Sequence, residues 1–84
     1  MARVTVTPEA GVEFAALPRP IKARIVRLFD RLRQWPDVSG AKPLRGSLSG
    51  RYRLRTGDYR LQFHVEGDEV RIEKIGHRDR FYKD

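Results

Sequence analysis

The hydrophobic positions of this chain follow two different periods, and each period predicts its own kind of element. Between Pro20 and Trp35 apolar residues recur every three or four positions, which predicts one long helix with a single apolar stripe. From Arg51 onward the apolar residues alternate with polar ones, which predicts three strands. The helical stripe is Ile21, Ile25, Leu28, Phe29 and Leu32, and the strand positions are Tyr52, Leu54, Tyr59, Leu61, Phe63, Val65, Val70 and Ile72.

The N-terminal residues predict a strand and a short helix before the long one. Residues Arg3 to Val6 alternate, and Thr7-Pro8 then has the form of a helix N-cap followed by proline in the first helical position. We expect this helix to run to about Ala16, because Pro18 and Pro20 follow it. The residue before Pro36 is disfavoured in the helical region, so the long helix should end there.

Two turn sequences connect the predicted C-terminal strands as hairpins. Thr56-Gly57-Asp58 and Glu66-Gly67-Asp68 have the chemistry of tight turns, so consecutive strands should pair antiparallel. We therefore predict an α+β fold, with two N-terminal helices packed on an antiparallel sheet of three C-terminal strands plus an N-terminal edge strand. At 84 residues, positions 1–84 should form a single domain.

Charge and composition narrow the classes of partner. Lys and Arg number 18 against 11 Asp and Glu, and the resulting net charge of +7 is typical of a polyanion binder, although a soluble surface or an acidic protein partner would also account for it. Cysteine is absent and there are only two histidines, so we expect no disulfide, no metal site and no cofactor. No apolar run approaches the roughly 18 residues of a membrane span, so we expect a soluble, cytoplasmic protein without a membrane partner.

Strand alternation predicts a cationic sheet face opposite the helices. If Leu61 and Phe63 face the helices, the other face receives these residues: Arg51, Arg53, Arg55, Arg60, Gln62 and His64. Arginine presents a planar fork of donors that binds phosphate oxygens bidentately, so converging arginines would clamp phosphates. Alternatively, they pair with nearby acids: Asp58, Glu66, Glu69 or Glu73. The basic side of the long helix, from Lys22 to Arg33, is either a solvated surface or a docking surface for an acidic partner.

The C-terminal residues add further candidate chemistry. Ile75 and Gly76 should end the last strand, which would leave these residues beside the cationic face: His77, Arg78, Arg80, Phe81 and Tyr82. His77 is suited to proton transfer near neutral pH, or it is a structural histidine. Tyr82 could stack on a base or pin the terminus by packing, and Phe81 is expected to pack.

The order of these motifs resembles a known family. The runs Lys42-Pro43-Leu44-Arg45-Gly46, Gly50 to Arg55, Gly57 to Arg60 and Ile75 to Arg78, followed by Tyr82, are similar to the RelE/ParE toxin superfamily of bacterial toxin–antitoxin systems. The resemblance implies a toxin of a type II system. In the RelE branch it implies a ribosome-dependent mRNA endonuclease, and in the ParE branch a DNA gyrase inhibitor without nuclease activity. The fold does not decide between them.

Carried over by position, the RelE-type catalytic residues fall on Arg53, Arg55, Arg60, Arg78 and Tyr82, which favours the nuclease branch. The resemblance implies attack of a ribose 2′-hydroxyl on the adjacent phosphate, with Arg60 and Arg78 stabilising charge and Tyr82 orienting the nucleotide. Arg51, Arg53, Arg55 and Arg80 are the predicted RNA-binding residues. The general base is the gap in this assignment, because arginine does not readily lose its proton, and His77 is the local candidate.

The resemblance also implies partners. A cognate antitoxin, acidic and partly disordered, would neutralise the toxin, while the ribosome and its mRNA would be the target. A degenerate toxin that only binds RNA is a third possibility.

Overall fold

The computed structural model describes residues 1–45 and 50–81 as one mixed sheet with the two N-terminal helices on one side. The elements are β1 (Arg3–Val6), α1 (Pro8–Ala15), α2 (Arg19–Leu32), β2 (Lys42–Pro43), β3 (Arg51–Thr56), β4 (Tyr59–Glu66), β5 (Glu69–His77) and α3 (Arg78–Phe81). The strand order is β1-β5-β4-β3-β2, with β1 parallel to β5 and the other pairs antiparallel. The predicted α+β class, including the N-terminal edge strand, is confirmed. Within the described ranges, none of the helices is both long and apolar enough to cross a membrane.

Both predicted helices start with proline in the first turn. The Thr7 hydroxyl accepts a hydrogen bond from the Ala10 N–H at 3.1 Å, so the predicted N-cap of α1 is confirmed. In α2, Pro20 lies at the second helical position, where its missing N–H would have no partner within the helix in any case. Pro20 therefore belongs to the first turn of α2. The break between the two helices ends before it.

The core forms where the α2 stripe meets the sheet. Ile25, Leu28 and Leu32 are buried, and they belong to one cluster with the buried side chains Leu54, Leu61, Phe63, Val70, Ile72 and Ile75. Trp35 extends this cluster, since its ring lies edge-on to Tyr52 and Phe63 at centroid distances of 4.7 and 5.4 Å. Burying one such side chain contributes about 1.5–3 kcal/mol, so this interface fixes which face the helices cover.

Two short elements were not predicted. β2 pairs Lys42 with Arg53 and Pro43 with Tyr52, and it forms the second edge of the sheet. Proline is tolerated there because an edge strand does not need every N–H for pairing. α3 is a single turn that follows β5 directly. Of the glycine- and proline-containing loop predicted around β2, residue Gly46 lies outside the described residues.

A β-bulge in β5 changes which side chains share a face. Phe63 pairs with Ile72, whereas the preceding Gln62 pairs with Lys74, so Glu73 is the extra residue. The bulge shifts the alternation by one position and returns Ile75 to the core, where it is buried. Every side chain of β5 beyond the bulge therefore points to the face opposite to the one that strict alternation predicts.

Candidate nucleic-acid interface

The sheet surface away from α1 and α2 carries rows of cationic side chains across β3, β4 and β5, and α3 contacts it at Lys74 and Gly76. Strand register aligns them as Arg51–His64–Arg71, Arg53–Gln62–Lys74 and Arg55–Arg60–Gly76, and we call these three rows the open face. Lys42 on β2 lies opposite Arg53 and extends the middle row. The predicted placement of the six residues from Arg51 to His64 on one face is confirmed.

The third row ends at the β3–β4 turn. Arg60 and Arg78, the two residues predicted to stabilise phosphate charge, each contact this turn. Arg60 donates from Nη1 to the Gly57 carbonyl at 3.1 Å. The Arg78 N–H donates to the Asp58 carbonyl at 2.7 Å, and its Nε lies 3.7 Å from Asp58 Oδ1. The Arg78 side chain is 58% exposed, so this loose ion pair leaves donors available to a ligand. Arg55, directly across from Arg60, is also exposed.

In the first row Arg51 forms an ion pair with Glu73. For Arg51, the predicted alternative of pairing with a nearby acid therefore applies. Its Nε donates to Glu73 Oε1 at 2.8 Å, and its Nη2 lies 3.4 Å from Oε2. Gln62 Nε2 also donates to Glu73 Oε1, at 3.3 Å. Among the described residues no ion pair involves Arg55 or Arg60. The density of cations available for phosphate is therefore greater near the β3–β4 turn than at Arg51.

His77 does not lie beside the open face, and that part of its prediction is wrong. It pairs with Tyr59 and lies two residues after the buried Ile75, on the face that the helices cover. Its ring meets Tyr59 edge-on with centroids 5.2 Å apart. Its Nδ1 accepts the Asp79 N–H at 3.1 Å, so in the neutral ring Nε2 carries the proton. The bulge in β5 is the physical reason for the changed face.

The described chain ends with two of the predicted C-terminal residues, Arg80 and Phe81. Phe81 is buried, so its packing role is confirmed, and Lys74 Nζ both donates to its carbonyl and lies 4.8 Å from its ring centroid. Arg80 lines a cleft of about 390 Å³ at the β5 edge, together with Glu13 and Leu17. Tyr82 lies outside the described residues.

The basic side of α2 is partly engaged in local contacts. Arg31 Nη2 donates to the Ser39 carbonyl at 2.6 Å, and Arg33 Nη1 pairs with Asp30 at 2.9 Å. These contacts are exposed, and such pairs contribute little to stability. They favour the solvated-surface interpretation for this end of the helix.

Two acidic residues, which we call the acidic row, lie at the end of the sheet opposite the β3–β4 turn. Glu66 pairs with Glu69 in register, beyond the three rows of the open face. The Thr5 hydroxyl donates to Glu69 Oε2 at 2.8 Å, and this bond, with a smaller effect of Arg71, lowers the pKa of Glu69 below its usual 4.5. The charge of the sheet is therefore graded, from acidic at this end to cationic at the β3–β4 turn.

Sequence reasoning missed Lys74 as a member of the open face. Lys74 lies there because of the bulge, which directs it to the same side as the preceding Glu73, a residue that the sequence had indicated only as a possible ion-pair partner. The available signal was the spacing of Ile72 and Ile75, since two buried positions three residues apart do not fit a regular strand.

Comparison with known proteins assigns the family. A family model described as the ParE toxin of the type II toxin–antitoxin system parDE matches residues 4–82. Toxin RelE of Mycobacterium tuberculosis is 36% identical over 73 residues, which cover 86% of this chain and 74% of that protein. The chain therefore spans most of its relative.

Solved structures share the fold. The toxin–antitoxin complex RelBE2 of Mycobacterium tuberculosis matches with a TM-score of 0.79 and 29% identity, over 92% of this chain and 98% of that one. The RelE–RelB complex of Pyrococcus horikoshii matches with a TM-score of 0.78 and 26% identity, over 94% and 97%. Because the family model covers nearly the whole chain and the sequence relative is itself a toxin, this protein belongs to the ParE toxin family and is a toxin of a type II toxin–antitoxin system.

Proposed function

We propose that this toxin is an endoribonuclease that cleaves messenger RNA on the ribosome and so inhibits translation. The observation that carries the proposal is the convergence of Arg55, Arg60 and Arg78 at the end of the open face. The 36% identity to a protein named Toxin RelE supports the same branch of the family. The cytoplasm, where ribosomes translate, is the proposed location.

The proposed reaction uses the ribose of the substrate as its own nucleophile. The 2′-oxygen attacks the adjacent phosphorus, the bond from phosphorus to the 5′-oxygen breaks, and a 2′,3′-cyclic phosphate and a 5′-hydroxyl result. Negative charge grows on the phosphoryl oxygens in the transition state, where fixed donors are most effective. In this proposal Arg60 and Arg78 stabilise that charge, and Arg78 hydrogen-bonds the departing oxygen.

The remaining predicted site residues have binding roles in this proposal. Arg53 and Arg55 lie on the same face of β3 and would hold neighbouring phosphates. Tyr82 is proposed to orient the cleaved nucleotide. Arg51 and Arg80 are proposed to contact RNA at the margins, because one is engaged by Glu73 and the other lines the β5 edge. Phosphate contacts of this kind position a nucleic acid without reading its sequence.

The proposal includes dependence on the ribosome. Positioning the 2′-oxygen in line with the departing oxygen supplies a large part of the rate enhancement in such reactions. The open face supplies positive charge. In this proposal the ribosome orients the message on that face. Cleavage of naked RNA should accordingly be slow.

A cognate antitoxin is the second proposed partner. The solved relatives from Mycobacterium tuberculosis and Pyrococcus horikoshii are described as toxin–antitoxin complexes. A net charge of +7 would accelerate association with an acidic chain. We propose an acidic, partly disordered antitoxin that covers cationic surface and blocks RNA.

Mapping the 5′ ends of cellular messages after induction tests the function, because cuts in phase with codons would identify both activity and place. Arg78→Ala should abolish these cuts, whereas Arg27→Ala, the same charge change at an exposed position on α2, should leave them. The family model is named for ParE, so gyrase inhibition is the competing function. Altered plasmid supercoiling with intact messages would favour that alternative.

A further inference from the structure

Glu73 places a carboxylate on the open face, among the cations that would bind RNA. We propose that Glu73 is the general base that removes the proton from the attacking 2′-hydroxyl. This inference rests on the proposed nuclease function and fills the role for which the sequence offered only His77. Glu73 follows the buried Ile72 on β5, so strand alternation directs its side chain to the open face, where it contacts Arg51 and Gln62.

The hydrogen bonds of Glu73 fix its orientation and leave acceptor capacity. Oε1 accepts one short bond from Arg51 Nε at 2.8 Å and a longer one from Gln62 Nε2 at 3.3 Å. Among the described residues, the one hydrogen bond that Oε2 accepts is the 3.4 Å contact from Arg51 Nη2. A carboxylate has about four lone-pair sites, so Oε2 retains one for a hydroxyl donor. The side chain is 21% exposed, so a ligand on the sheet surface can reach it.

The position of Glu73 agrees with a base rather than a phosphate contact. Gln62, its hydrogen-bond partner, lies in register between Arg53 and Lys74, one row from Arg55 and Arg60. A carboxylate repels phosphate, so it weakens RNA binding on a surface otherwise rich in cations. As a general base beside Arg55 and Arg60, Glu73 would contact the ribose while these arginines contact the phosphate.

The proton and electron balance of the step is simple. Glu73 Oε2 takes the 2′-hydroxyl proton as the 2′-oxygen forms its bond to phosphorus. The electron pair of the breaking bond goes to the 5′-oxygen, which Arg78 hydrogen-bonds and water protonates. Glu73 then returns its proton to solvent. A positioned general base of this kind typically contributes a factor of about 10²–10⁴.

His77 is less suited to the same role. It lies on the helix-covered face, and its basic nitrogen in the neutral ring, Nδ1, already accepts the Asp79 N–H. Taking a proton there would break that bond. Glu73 needs no such rearrangement.

Single-turnover cleavage of ribosome-bound message at neutral pH tests the inference. Glu73→Gln should lower the rate about 10²–10⁴-fold. It should still bind a message whose cleaved nucleotide lacks the 2′-hydroxyl at least as tightly as the wild type, since it removes a negative charge.

Two control variants separate chemistry from charge and packing. Glu66→Gln makes the same charge change at a position 71% exposed in the acidic row, and its rate should equal that of the wild type. Arg51→Ala removes the ion pair but keeps the carboxylate, so it should lose less rate than Glu73→Gln does. If Glu73→Gln does not fold, Glu73→Asp retains the carboxylate and should show a smaller rate loss.

The outcomes are distinguishable. A wild-type protein that cleaves, with Glu73→Gln cleaving equally fast, would overturn the role of Glu73 and leave the nuclease function standing. A wild-type protein that leaves ribosome-bound message intact would overturn the proposed function itself, and the base with it.

Discussion

The carboxylate of Glu13 accepts a hydrogen bond from the backbone N–H of Ile75, with an oxygen–nitrogen distance of 2.8 Å. β1 pairs with β5 only as far as Ile72, so the edge of β5 beyond the bulge would otherwise present a donor without a strand partner. A side chain from α1 thus completes the sheet edge just after Glu73 and Lys74.

Glu13→Ala is expected to lower the free energy of unfolding by about 1–3 kcal/mol, because it leaves the part-buried Ile75 N–H without an acceptor. Glu13→Gln keeps an amide oxygen at the same place and should lose clearly less. Urea denaturation of both variants measures the difference. Equal losses would mean that the charge of Glu13, and not its acceptor, stabilises this edge.

The β5 strand shows where sequence reasoning succeeds and where it stops. Alternation placed Arg51 to Arg60 correctly, because β3 and β4 are regular and their apolar positions meet one core. It did not place His77, because the predicted strand ended at Gly76, whereas β5 runs through His77 and a bulge shifts its alternation without any turn residue to mark it. Glu73 was one of four acids expected to pair with the cationic face, and its pairing with Arg51 in particular depends on the register. The cationic face and its candidate acids were therefore predictable, whereas the Arg51–Glu73 pair and the position of His77 were not.

Substitution by alanine should affect two glycines differently. Gly50 has a φ of +83°, and an added Cβ would lie 3.3 Å from His64 Nε2, so Gly50→Ala should destabilise the fold by about 1–3 kcal/mol. At Gly76 an added Cβ would lie 3.9 Å from Phe81 Cδ1, which is ordinary contact. Gly76→Ala should therefore fold with near-wild-type stability. Thermal unfolding followed by circular dichroism compares them, and similar losses at both sites would contradict this account.

Lysine should not replace arginine at position 60. The Arg60 guanidinium can keep its bond to the Gly57 carbonyl through Nη1 while other N–H groups of the same plane meet a phosphate. A lysine ammonium offers one point charge, so Arg60→Lys should lose about 10²-fold or more in cleavage, the effect of removing one oriented donor. Arg27→Lys, at an exposed position on α2, is the matched control and should stay near the wild-type rate. Cleavage of ribosome-bound message provides the measurement, and full activity of Arg60→Lys would count against bidentate contact.

His77→Gln should reduce cleavage less than Glu73→Gln does. The glutamine oxygen can still accept the Asp79 N–H, and the changed side chain lies across the sheet from the open face. Measured rates at neutral pH and one acidic pH suffice for the comparison. A loss at His77→Gln equal to or greater than that at Glu73→Gln would restore histidine as the base.

The bond from Thr5 to Glu69 predicts a pH-dependent contribution to stability. Because the pKa of Glu69 is lowered in the folded protein, chiefly by the Thr5 hydroxyl and then by Arg71, its contribution is present above the ordinary value of 4.5. The contribution is lost as pH falls through the lowered pKa.

Thr5→Val should raise the Glu69 pKa toward 4.5, whereas Thr5→Ser, which retains a hydroxyl, should change it less. NMR titration of the Glu69 carboxyl measures both, and unfolding at neutral and acidic pH should show the stability gap between wild type and Thr5→Val closing below about pH 4.5. A gap that stays constant down to the lowest pH would mean that Thr5 stabilises the edge strand by packing alone.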